Sequence, residues 1–121
     1  MTPAELLVAL HHVPVSRATI DALAVCIDVE RAAFSQEVVA VALQRLLGER
    51  EVPVLLLRTV MVALKRHPAL SRFVCTNVLP ALIRHSLWRD KRRWEGFVKC
   101  CQVRKLYYLF VCVFFLCVFC F

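Results

Sequence analysis

Residues 35–66, SQEVVAVALQRLLGEREVPVLLLRTVMVALKR, decide how the rest of the chain folds. Ser35 predicts a helix cap with Glu37 in the first turn, where an acid suits the helix dipole. From Val38 to Leu43 the run is apolar on every face, and Leu46 and Leu47 continue it. Gly48-Glu49-Arg50-Glu51 is a polar loop. A second helix opens at Pro53 and carries Leu55, Leu56, Leu57, Val60, Met61 and Leu64 as far as Arg66. A helix apolar all round needs neighbours on more than one side. Two of them joined by a short loop form an antiparallel hairpin buried between other helices.

Outward from this hairpin the same grammar recurs. Upstream, Thr2-Pro3-Ala4-Glu5 combines a cap, a proline at the first helical position and a capping-box acid. That helix holds Leu6, Leu7, Ala9 and Leu10 and ends near His12, before Pro14. Another spans Ser16 to about Val29, burying Ile20, Leu23, Ala24 and Ile27. Downstream of Pro68 a helix covers Ala69 to Trp88, with Phe73, Val74, Val78, Leu79, Leu82, Ile83 and Leu87 inward. Pro80 removes a backbone donor and predicts a kink or a break near Asn77. The last helix covers Lys91 to Val103, with Trp94, Phe97, Val98 and Cys101 expected on its buried face. Hairpins that start at residues 2, 35 and 69 recur at a period of 33 to 34. The expected fold is therefore all-α, a HEAT-like stack of about three antiparallel helical hairpins.

Composition agrees. The chain has 121 residues, 60 % of them hydrophobic, and two glycines. That is one domain with too little glycine for strand-rich folds or phosphate-cradling loops. Seven cysteines and no basic leader before the short run Leu6–Leu10 fit a reducing compartment, with the thiols as apolar filler.

Catalytic patterns are missing. There is no G-x-S-x-G, no P-loop and no nucleophile with a glycine-rich elbow. Asp21 and Asp28 read as solvent-facing. Cys117 and Cys120 form a C-x-x-C, but inside an unbroken apolar run and without a second pair at zinc spacing. His11 and His12 are adjacent, about 100° apart on a helix, and His67 and His85 are remote. All four read as surface histidines. No enzyme, cofactor or metal is expected.

Charge points instead to partners. Net charge is +7, and the stretch 84–105 supplies eight Lys and Arg against Asp90 and Glu95. A basic cluster favours anionic partners. Within it Trp88, Arg92, Arg93 and Trp94 are candidate partner-binding residues, able to anchor a protein or stack on RNA, and Arg58 joins them. A tryptophan pair wedged between the last two helices, with the arginines in water, is the structural alternative.

Leu106 to Phe121, LYYLFVCVFFLCVFCF, is sixteen residues without charge, proline or glycine, directly behind Arg104 and Lys105. As a helix it would reach roughly 24 Å, against a bilayer core of about 30 Å. A membrane anchor with the helical domain cytosolic is one reading. A gene-model artefact is another, and a packing role a third.

Taken together, residues 3–102 resemble the C-terminal region of the symplekin family. The resemblance lies in Pro3-Ala4-Glu5-Leu6-Leu7-Val8-Ala9-Leu10-His11, in Ser35-Gln36-Glu37-Val38-Val39-Ala40-Val41 and in Pro53-Val54-Leu55-Leu56-Leu57-Arg58-Thr59-Val60. It is strongest at Trp94-Glu95-Gly96-Phe97-Val98-Lys99-Cys100-Cys101-Gln102. The resemblance implies a nuclear, non-catalytic scaffold of the machinery that cleaves and polyadenylates pre-mRNA 3′ ends. Its implied partners are the cleavage and polyadenylation endonuclease subunit and its inactive homologue. The division expected is a helical domain over 1–102 and an apolar tail over 103–121.

Overall fold

Every residue described, 2–30 and 32–103 in a computed structural model, lies in a helix, a helical turn or a connecting loop, with no strand among them. The capping signals act as read. Thr2 and Glu5 complete a reciprocal capping box at the start of α1 (Pro3–Leu10). Ser16 caps α2 (Arg17–Ala24), which runs on into a π-helical turn, Val25–Val29. Ser35 caps α3 (Gln36–Leu47), and Gly48 closes it. After the polar loop comes α4 (Leu56–Arg66).

The helix expected beyond Pro68 is continuous but irregular. It begins as a 3-10 turn, Pro68–Leu70, becomes α5 (Ser71–Phe73), widens into a π turn, Val74–Val78, and ends as α6 (Leu79–Arg84). The irregularity lies where proline chemistry demands it. Pro80 has no N–H for the Thr76 carbonyl, and its ring needs room one turn back, which a wider turn supplies. This helix stops earlier than Trp88. Ser86 adopts a left-handed conformation, φ 59°, which breaks the rod and starts a separate 3-10 turn, Leu87–Arg89. Finally Asp90 caps α7 (Lys91–Gln102).

The central hairpin lies at the centre, as its all-round apolarity requires. Helix α3 packs on α1, α4 and the π turn before α6, while α4 touches α3, the π turn after α2, and α7. Leu43, Leu46, Leu56, Val60 and Leu64 are fully buried between them. Each such aliphatic side chain contributes about 1.5–3 kcal/mol. An exposed pair such as Arg17–Asp21, 4.0 Å apart, is worth about 1 kcal/mol at most. Burial therefore sets the fold, and only Val41 on α3 is left facing solvent among the apolar residues of that helix.

Three histidines depart from the surface reading. His11 is 5 % exposed, with Nδ1 2.7 Å from the Leu7 carbonyl and Nε2 2.6 Å from Thr59 Oγ1. His85 Nε2 bonds the Leu47 carbonyl at 2.9 Å, joining the end of α6 to the end of α3. His67 is half-buried. His12 alone is at the surface, 2.7 Å from Glu49. A side chain with one apolar body and two polar atoms suits the junctions where helix ends leave carbonyls without partners.

The last helix is rotated relative to expectation. Phe97 and Cys100 are its buried residues, whereas Trp94 and Val98 are 37 % and 39 % exposed. Helix α7 turns this face because it docks on α4, where Gly96 meets Leu57: a Cβ on Gly96 would lie 2.9 Å from Leu57 Cδ1.

Candidate functional site

The orientation of α4 decides what its outer face presents. Thr59 is fully buried and bonded to His11, so its neighbour Arg58 points out. At the far end Arg66 Nε reaches Asp28 Oδ1 at 3.3 Å and its Nη2 reaches the Asp28 carbonyl at 3.3 Å, tying α4 to the turn after α2. Cys100 Sγ meets the Leu57 carbonyl at 3.4 Å and holds α7 alongside. Burial pushes the Cys100 thiol up to about 12, and burial, helped by Cys75, raises Cys101 to about 11. These thiols are packing groups, not nucleophiles, at neutral pH.

Between α4 and α7 runs an open groove of about 440 Å³. Its floor and one wall come from Val54, Leu57, Arg58, Met61, Val62 and Lys65. The other wall is Asp90, Arg92, Arg93, Gly96 and Lys99. The spacings are those of single helix faces: 58, 61/62 and 65 on α4, and 92, 96 and 99 on α7. Asp90 sets the second wall. Its Oδ1 accepts from the Arg92 and Arg93 backbone N–H groups at 3.0 and 3.4 Å, and its Oδ2 lies 3.7 Å from Arg93 Nε.

Of the five residues singled out in the sequence, the structure brings Arg58, Arg92 and Arg93 into this groove. It leaves Trp88 and Trp94 outside. Neither tryptophan is wedged between helices. Trp88 departs with the 3-10 turn after Ser86, 56 % exposed, with the Arg89 guanidinium 5.2 Å from its ring centre. Trp94 stacks on Phe97 at 4.8 Å and 11°. Sequence reasoning missed Met61, Val62, Lys65 and Lys99. The i, i+3, i+4 and i+7 spacing around Arg58 and Arg92 could have found them, had α7 been placed against α4.

Among the described residues, no group of three His, Cys, Asp or Glu side chains could hold a metal ion. No helix among them is long and apolar enough to cross a membrane. The apolar run Leu106–Phe121, with its C-x-x-C and the anchor reading attached to it, lies outside the described residues. No solved structure matches the chain. A family model described as symplekin tight junction protein C terminal matches residues 1–116, past Gln102, where the resemblance read from the sequence stopped. The match takes in nearly the whole chain, and the chain belongs to the symplekin C-terminal family.

Proposed function

We propose that this chain is a non-catalytic docking module of the pre-mRNA 3′-end cleavage and polyadenylation machinery, acting in the nucleus. The observation that carries the reading is the family match over residues 1–116. The chemistry of the body agrees with it. Among the described residues the buried side chains of His11, Thr19 and Thr59 hydrogen-bond within the protein. What it offers to other molecules is surface, a braced pair of helices with cations and half-buried aliphatic side chains between them. The partners are the endonuclease subunit and its inactive homologue, held by protein–protein contacts.

The test is co-purification. The tagged chain, expressed at native level, is recovered from nuclear extract and probed for both nuclease subunits. Recovery of either above an untagged control is the expected result. Absence of both overturns the proposal.

A further inference from the structure

We propose that the groove between α4 and α7 is a cradle for an acidic amphipathic helix of a partner protein. The inference rests on the docking reading above and names the chemistry of what docks. Its first support is shape. The groove is bounded by two neighbouring helices and follows α4 from Leu57 to Lys65, a little over two turns or roughly 12 Å, which is the format of helix-in-groove recognition. Its second support is the floor. Leu57, Met61 and Val62 form a strip at helical spacing that another helix can meet with its own apolar stripe.

The third support is charge. Arg58 and Lys65 stand seven residues apart on one rim, and Arg92 and Lys99 seven apart on the other, so each rim carries two cations about 10.5 Å apart. Among the described residues Arg58, Arg92 and Lys99 stand in no ion pair, and Arg93 meets Asp90 only at 3.7 Å. Two cationic rims about an apolar floor complement a helix with one aliphatic stripe flanked by Glu or Asp. Single-stranded RNA fits less well, because among the described residues no aromatic ring lines the groove for bases to stack on.

The experiment uses the full chain and a fluorescein-labelled peptide of about fourteen residues built from Glu, Leu and Ala, with leucines at helical spacing. Binding is read by fluorescence anisotropy. The expected result is binding that weakens about tenfold or more in the double variant Arg58→Glu/Arg92→Glu, and similarly when Gln replaces Glu in the peptide. A peptide with Lys in place of Glu should bind the double variant better than it binds the unaltered chain. That rescue separates lost attraction from lost folding. Equal binding of the Glu and Gln peptides, indifference to the double variant, or groove-dependent binding of an oligouridine without binding of the peptide would each overturn the inference. Failed co-purification alongside groove-dependent peptide binding strikes the cellular assignment alone. Intact co-purification alongside peptide binding blind to groove charge strikes the cradle alone.

Discussion

Replacing Thr59 by valine isolates the bond that orients α4. The Leu7 carbonyl can only accept, so at 2.7 Å it fixes a proton on His11 Nδ1. In the neutral ring Nε2 is then an acceptor, and the Thr59 hydroxyl, 2.6 Å away, shares its one proton between that nitrogen and the Leu55 carbonyl at 3.2 Å. Valine keeps the shape but withdraws the donor, leaving Nε2 desolvated and unpaired at a site where His11 is 5 % exposed. Such an orphan costs about 1–3 kcal/mol. Urea denaturation at pH 7.5 should show that loss, whereas His11→Leu/Thr59→Val, which removes both polar partners, should recover part of it. The pH dependence has a definite sign. Burial holds the His11 pKa below its usual 6.5, so the unfolded chain takes up the proton first. The contribution of neutral His11 is fully present above pH 6.5 and is lost as pH falls through 6.5 towards the folded value. His11→Leu should flatten the stability profile in that window. A Thr59→Val cost under about 0.5 kcal/mol, or a profile unchanged by His11→Leu, would refute the reasoning.

Three further outcomes follow from the backbone and the helix junctions. Ser86→Gly relieves a left-handed conformation at φ 59° and should raise stability by about 0.5–1 kcal/mol, read as a higher urea midpoint. Asp90→Ala removes the cap of α7 and should lose about 1 kcal/mol, while Asp90→Asn, which still accepts from the Arg92 and Arg93 N–H groups, should lose less than half of that. Gly96→Ala brings a methyl to 2.9 Å from Leu57 Cδ1, a side-chain end able to swing into the groove, and helix propensity offsets the crowding, so thermal melts should shift little. Gly96→Val, with two more carbons on the same wall, should cost about 1–3 kcal/mol.

The helices were legible in the sequence because their signals are local. Thr2, Ser16 and Ser35 each sit a fixed distance before an apolar run, and a cap acts within its own first turn. Pro80 marked the irregular turn before α6 for the same reason. Rotation of α7 was not legible. Trp94 and Val98 compete with Gly96 and Cys100 for the inward direction, and hydropathy favours the larger side chains. Close approach of α7 to the Leu57 region of α4 favours the smaller ones, and that is a tertiary fact. His11 escaped for a related reason, since its partner Thr59 is forty-eight residues away and looks like a neutral helix residue until α1 and α4 are placed together. The groove was half legible. Arg58, Arg92 and Arg93 stood out by charge, but Lys65, Lys99 and the aliphatic floor join them only when two helices share a wall.

The thiol that bridges α7 to the Leu57 carbonyl also makes a clock. Burial pushes the Cys100 thiol up to about 12, so it keeps its proton at neutral pH, and none of the residue is exposed. An alkylating reagent can meet it only in the moments when the final helix lifts away. The speed of modification at Cys100 therefore counts those departures. Anything that settles between the two helices and holds them together should slow it, whatever the occupant's identity.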